Sequence, residues 1–103
     1  MVVWPRNLGR VPLDAEQSSI EAAVVAEKAA ALGHAGRQVE KALEALAAAP
    51  DEKRETLLRH AADRVWGFLV QRELCGLNDR DRVVEDYRIP REVMNRLGAR
   101  RGD

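Results

Sequence analysis

The chain has 103 residues, of which 46% are hydrophobic and 33% are charged, and its 17 basic residues balance 17 acidic ones. This length predicts one domain with a modest core. A net charge of zero gives no overall attraction to nucleic acid or to an anionic membrane, so only a local patch would bind either. Aromatic residues make up only 4% of the chain, and thin cores of this kind are often completed by a partner or a second copy.

The use of cysteine indicates a reducing compartment. Cys75 is the only cysteine in the sequence, whereas a secreted domain of this size usually carries several in disulfides. The first residues lack the apolar stretch of a signal peptide. The longest strongly apolar run, Val65 to Val70, is far too short to cross a bilayer. We therefore expect a cytoplasmic protein without a membrane partner.

The first thirteen residues show no helical period. Two prolines and a glycine interrupt them, so residues 1–13 are predicted to form an extended N-terminal arm. A helix is expected to start between Asp14 and Ser19, where two N-cap signatures overlap. This start also marks the beginning of a single helical domain, predicted over residues 14–98.

The first helix is predicted to continue to Ala48, because apolar residues recur along it at spacings of three and four. This stripe consists of Ile20, Ala23, Val24, Ala31, Leu32, Ala35, Val39, Ala42, Leu43 and Leu46. Gly33 and Gly36 each cost about 1 kcal/mol relative to alanine inside a helix. They mark either a break or a close crossing with a neighbouring helix. Because the stripe keeps its phase across both glycines, we expect one unbroken helix.

The second helix follows a short turn and is predicted to lie antiparallel to the first. Pro50 ends the first helix, and the second runs from about Glu52 to Cys75 with Asp51 as its cap. Its middle is apolar almost all round, which predicts burial on every side. Since one partner helix cannot cover that surface, the C-terminal helices or another chain must do so. The residues assigned to this core or interface are Val65, Trp66, Phe68, Leu69 and Val70.

Two short helices are predicted to complete the chain, at about residues 79–87 and 90–97. Gly76 is the expected stop before them and Gly98 the stop after them, and residues 99–103 form a polar tail. The sequence contains no strand pattern. It therefore predicts an all-α fold, in which two long helices form an antiparallel hairpin and two short C-terminal helices complete a compact bundle.

The chemistry-bearing residues form no familiar catalytic or metal-binding arrangement. His34 and His60 lie in no metal-ligand spacing, and a lone cysteine cannot supply a zinc knuckle. Cys75 is interpreted as a buried, inert thiol. The sequence also lacks a phosphate-binding loop and a dinucleotide fingerprint. We therefore expect no catalytic, metal or cofactor site and no enzyme activity, with an unrecognised enzyme as an alternative.

Residues 80–97 match the spacing of a helix-turn-helix. In that interpretation Arg91, Asn95 and Arg96 face outward from the second helix, and such side chains are suited to reading base edges. Position 88, where the motif usually has glycine, is arginine, and acidic residues mixed into the segment weaken its attraction to phosphate. The alternative interpretation is a helical corner that closes the bundle core.

Three segments resemble a known family of small bacterial proteins of unknown function. They are the segment from Val65 to Leu77 (VWGFLVQRELCGL), the segment from Tyr87 to Val93 (YRIPREV) and the alanine-rich segment from Glu27 to Gly33 (EKAAALG). Together they span most of the chain after the arm, from residue 27 to residue 93. The resemblance implies a compact all-helical fold with no assigned activity.

Three functional hypotheses follow from these features. We expect first a non-enzymatic helical interaction module, either a homodimer or a partner of another helical protein, because the apolar surface exceeds what one hairpin covers. DNA binding through residues 80–97 is the second hypothesis. An unrecognised enzyme is the third.

Overall fold

Every regular element in the described part of the chain is a helix. The computed structural model describes the backbone of residues 3–102 and the side chains of residues 16–97. Its helices are α1 (Val3–Ala47), α2 (Asp51–Leu74), α3 (Arg80–Tyr87) and α4 (Arg91–Gly102). The predicted all-α fold is confirmed: the two long helices are in contact, and the two short helices follow them. None of the four combines the length and apolar character needed to cross a bilayer, over the residues described.

The chain falls into two units, residues 1–31 and residues 32–103. The second unit holds the core, to which all four helices and the α3–α4 turn contribute. Its buried side chains are Val39, Ala42, Leu46, Leu58, Ala61, Ala62, Val65, Phe68, Leu69, Val83, Ile89, Val93 and Leu97. Full burial of a valine, leucine or phenylalanine stabilises the fold by roughly 1.5–3 kcal/mol. We call residues 32–97 the packed unit.

The helix ends differ from the predicted ones. α1 begins at Val3, so residues 3–13 of the predicted extended arm (residues 1–13) are helical, while residues 1 and 2 lie outside the described residues. Lengthening an existing helix costs no new nucleation. Pro5 lies in the first turn, where a proline loses no hydrogen bond, whereas Pro12 lies in the helix interior, where its missing N–H removes one. The side chains of residues 3–15 lie outside the described residues, and the packed unit begins at Leu32 rather than at Asp14.

The other ends also shift by short distances. Pro50 takes the N-cap position of α2 and Asp51 is its first helical residue, where a negative charge favours the helix N-terminus. α4 runs to Gly102, through Gly98 and most of the predicted tail over residues 99–103. Alanine and arginine, which fill positions 99–101, are good helix formers and favour this extension.

α1 is unbroken at both glycines, as predicted. Gly36 is buried, and a β-carbon built on it would lie 2.6 Å from the hydroxyl oxygen of Tyr87 and 3.5 Å from the ring of Phe68. Gly33 is exposed, and its β-carbon would meet only the end of the Arg37 side chain at 3.5 Å. Gly36 therefore marks a close crossing between α1 and its neighbours, whereas Gly33 does not.

α2 ends in a Schellman motif at Gly76, the stop that the sequence predicts. Gly76 has a φ of +82°, and its N–H donates to the carbonyl of Glu73 at 2.9 Å. The N–H of Leu77 donates to the carbonyl of Arg72 at 2.8 Å. These two bonds satisfy carbonyls that a helix end leaves without a partner. They also turn the chain sharply toward α3.

Candidate interaction surface

The apolar middle of α2 is mainly core. Val65, Phe68 and Leu69 are 0%, 2% and 4% exposed, whereas Trp66 and Val70 are half-buried. The cover comes from within the chain, because the same buried cluster contains residues of α1, α3 and α4. The sequence predicted that either the C-terminal helices or another chain would cover the middle of α2, and the C-terminal helices supply a large part of that cover. The apolar surface left for a partner lies elsewhere.

The exposed apolar side chains are concentrated in the N-terminal half of α1. Ile20, Val24 and Val25 are 63%, 45% and 65% exposed. Every other side chain from Glu16 to Ala30 is exposed as well, and we call residues 16–30 the exposed α1 segment. In proteins most helix stability comes from packing an apolar face against something else. A stretch of four helical turns without a buried side chain is therefore a candidate binding surface.

A second, smaller apolar patch lies where α2 ends. Leu74 and Leu77 are 77% and 40% exposed, and Cys75 between them is a half-buried free thiol rather than a fully buried one. Single exposed leucines are common on protein surfaces and need no partner. This patch is therefore a weaker candidate than the exposed α1 segment.

A polar clasp closes the turn between α2 and α3. The guanidinium of Arg72 donates to both carboxylate oxygens of Asp79, with Nη2–Oδ1 at 2.9 Å and Nη2–Oδ2 at 2.7 Å. These hydrogen bonds lower the pKa of Asp79. The same guanidinium lies 5.6 Å from the ring centroid of Phe68, whose ring meets that of Tyr87 edge to face at 5.2 Å. The cleft beside this clasp has room for about one water molecule.

The three side chains assigned to DNA contact do not share one environment. Arg91 and Asn95 are exposed on α4. Arg96 instead points at α2 and donates two hydrogen bonds to Glu55, with Nη1–Oε2 at 2.5 Å and Nη2–Oε1 at 2.8 Å. These bonds lower the pKa of Glu55 and raise that of Arg96. Arg96 is therefore engaged within the chain rather than facing outward.

A second ion pair joins the same two helices. In this pair the guanidinium of Arg54 donates to the carboxylate of Glu92. Arg54 immediately precedes Glu55 on α2, and Glu92 lies four residues before Arg96 on α4. α2 thus presents a base and then an acid, and α4 presents an acid and then a base. Among the described residues of α4, Arg91 is the one basic side chain outside these ion pairs. A single cation gives little attraction to phosphate.

The turn between α3 and α4 has the length and the left-handed residue of a helix-turn-helix turn. It spans residues 88–90, within the usual three to four residues. Arg88 takes a φ of 53° and a ψ of 49°, the left-handed conformation that glycine usually provides. The N–H of Ile89 donates to the carbonyl of Val84 at 3.0 Å. Arginine thus takes the conformation expected of the missing glycine.

The remaining reactive side chains are dispersed. His34 and His60 are exposed. Among the residues described, no three histidine, cysteine, aspartate or glutamate side chains come together in a group that could hold a metal ion. Of the ion pairs in the described residues, Arg54–Glu92 and Glu55–Arg96 connect α2 to α4, Arg72–Asp79 connects α2 to the residue before α3, and Arg82–Asp86 lies within α3.

The profile of DUF6665, a family of unknown function, matches residues 7–102 of the chain. The chain belongs to DUF6665. The match includes the three segments on which the resemblance was based, and it confirms membership in an uncharacterised family. No curated protein and no solved structure matches this DUF6665 chain.

In this DUF6665 chain, Ile20 and Val24 belong to the apolar stripe predicted for the first helix, and the structure leaves both exposed. A signal for the difference is present in the sequence. The core positions Leu46, Ala42 and Val39 are separated by four and three residues, and the same alternation continued toward the N-terminus reaches Lys28, Val25 and Glu21. Two of these three positions are charged, which indicates that the stripe stops being core in the N-terminal half of α1.

Proposed function

We propose that this DUF6665 chain is a non-enzymatic helical interaction module that self-associates through the exposed α1 segment. One observation carries the proposal: Ile20, Val24 and Val25 are exposed in a helical segment that buries no side chain. Association with a second copy would remove these side chains from water, the main source of favourable free energy in protein association.

The packed unit supports the proposal, because its buried and charged side chains serve the fold and leave association to the exposed α1 segment. It buries thirteen apolar side chains, and its ion pairs connect α2 to α4 and to the residue that precedes α3. These charged groups serve the fold, which favours a structural use over a catalytic one. Cys75 is a free thiol, and this supports placing the module in a reducing compartment such as the cytoplasm.

The test is the absolute mass in solution, measured by light scattering behind a sizing column over a wide range of concentration. We expect a mass near twice 11.5 kDa at high concentration. The double variant Ile20→Asp/Val25→Asp should be monomeric with unchanged helical circular dichroism. Leu74→Asp is the matched control, because it also places a charge on an exposed apolar position, and it should leave the mass unchanged. A wild-type chain that stays monomeric at every concentration would contradict the proposal.

DNA binding is the second candidate, favoured by the three-residue turn with its left-handed Arg88. Arg91 and Asn95 are the exposed residues that would contact bases. A labelled duplex titrated at low salt, where electrostatic binding is strongest, separates the two candidates. We expect no saturable binding. Saturable binding that Arg91→Ala weakens would favour DNA recognition over self-association as the function.

A further inference from the structure

Four residues of the exposed α1 segment form one charged-apolar-charged face. Glu21, Val24, Val25 and Lys28 follow the spacing i, i+3, i+4 and i+7, which places them on one side of a helix. All four are exposed. Within residues 16–97, neither Glu21 nor Lys28 takes part in any of the ion pairs that the structure contains. The face thus has an apolar centre and opposite, uncompensated charges at its two ends.

This face is complementary to itself when two copies run antiparallel. A two-fold axis between Val24 and Val25 sets Val24 of one copy opposite Val25 of the other. The same register sets Glu21 opposite Lys28 twice, once at each end. In a parallel, in-register pair each of these charges would instead lie beside its own kind, and like charges repel. Charge therefore selects the antiparallel arrangement.

The surroundings of the face allow the close approach that such a pair needs. Ala22 and Ala29 flank it on one side, and small side chains permit a short distance between helix axes. Exposed ion pairs add little affinity by themselves, so the valines supply most of the attraction. The charges determine orientation and register, as they do at other interfaces.

We infer that a second copy of this chain docks antiparallel on the exposed α1 segment, with Glu21 and Lys28 paired across a two-fold axis at Val24 and Val25. The inference rests on the proposed self-association and adds its geometry. The resulting interface is isologous, since both copies contribute the same surface.

Charge reversal tests the pairing, with the dissociation constant measured by sedimentation equilibrium. Glu21→Lys alone, or Lys28→Glu alone, converts both pairs into like charges and should weaken association about tenfold. The double exchange Glu21→Lys/Lys28→Glu restores opposite charges and should recover the wild-type value. Glu16→Lys is the matched control, because it makes the same charge change on another side of the same segment and should have no effect. Equal weakening by Glu21→Lys and Glu16→Lys would overturn the inference.

Cross-linking tests the orientation. In a Cys75→Ser background, Val25→Cys places a thiol beside the two-fold axis, so a short bis-maleimide should join the two copies. Gln17→Cys places it eight residues away, which moves the two thiols apart by roughly 20 Å along the helix axis in an antiparallel pair. Efficient cross-linking at both positions would indicate a parallel pair and overturn the inference.

These measurements separate the two proposals. A chain that is monomeric throughout contradicts self-association and the inference with it. A dimer that is insensitive to both single charge reversals contradicts the inference and leaves self-association standing. Since residues 16–30 bury no side chain, the circular dichroism of every variant should match that of the wild type, which confirms that the fold is retained.

Discussion

The hydroxyl oxygen of Tyr87 occupies the space beside Gly36 that the β-carbon of any other residue would need, at 2.6 Å. The ring of Tyr87 also meets that of Phe68 edge to face, so a shift of Tyr87 away from α1 would disturb that contact. α1, α2 and the end of α3 therefore meet at position 36, where a side chain larger than the hydrogen of glycine would contact Tyr87 too closely.

Gly36→Ala should destabilise the packed unit. Overpacking a tight contact costs roughly 1–3 kcal/mol, and the gain in helix propensity of about 1 kcal/mol offsets only part of it. Gly33→Ala is the matched control in the same helix, because its β-carbon meets only the end of the Arg37 side chain at 3.5 Å. It should stabilise the chain by about 1 kcal/mol. Urea midpoints followed by circular dichroism measure both, and equal shifts would contradict the packing role of Gly36.

Arg88→Gly should stabilise the fold. Arg88 has a φ of 53°, and the left-handed region costs a residue other than glycine roughly 1–2 kcal/mol. Gly76, at a φ of +82°, is the opposite case, and Gly76→Ala should destabilise by a similar amount although its β-carbon would meet no atom within 4 Å. Thermal midpoints of the two variants should move in opposite directions. A fall in the midpoint of Arg88→Gly would show that the arginine side chain contributes more than its backbone costs.

Acid should weaken the packed unit through Glu55 and Asp79. Hydrogen bonds from Arg96 and Arg72 lower the pKa of these two carboxyls, so the folded chain binds fewer protons than the unfolded one. Their stabilising contribution is present above the ordinary carboxyl pKa of about 4. It is lost as pH falls through the lowered folded values. The effect is small because both pairs are partly exposed to solvent.

The double variant Glu55→Gln/Asp79→Asn should therefore lose less of its stability on acidification than the parent chain. Urea midpoints at about pH 7 and about pH 3 give the comparison. Identical losses in the two proteins would mean that the ion pairs do not contribute to the pH dependence.

Leu69→Ala should lower the free energy of unfolding much more than Val25→Ala, because Leu69 lies in the core and Val25 on the surface. Leu69 is 4% exposed, and truncating a buried leucine costs about 2–5 kcal/mol. Val25 is 65% exposed, and its truncation should change stability by less than about 0.5 kcal/mol. The measurement is chemical unfolding at a concentration low enough to keep the chain monomeric. A large loss for Val25→Ala under these conditions would place that side chain in the core.

The fold was predictable because local signals agree with packing. The apolar stripe, the proline at position 50 and the glycine at position 76 each act over a few residues, and the elements they predict are present. The start of α1 was not predictable in the same way. Prolines are read as breaks, but Pro5 lies in the first turn of α1, where it costs no backbone hydrogen bond, and adding residues to an existing helix requires no new nucleus.

The candidate surface was harder to predict than the fold. Burial depends on which neighbours arrive, and sequence periodicity shows only that a face is apolar. Val65, Phe68 and Leu69 belong to a buried cluster to which α1, α3 and α4 all contribute, whereas Ile20 and Val24 are exposed. The orientation of Arg96 could not be predicted for the same reason, since its hydrogen-bond partner Glu55 lies 41 residues away in sequence.

The two ion pairs between α2 and α4 should constrain which substitutions are tolerated at their four positions. Glu55 and Arg96 meet with a fixed polarity, and so do Arg54 and Glu92. A substitution that reverses one charge leaves two like charges facing each other, and a reversal of its partner removes the conflict. Across DUF6665, the sign of the charge at position 55 should therefore vary together with that at position 96, and 54 with 92, so that each pair is inherited as a unit.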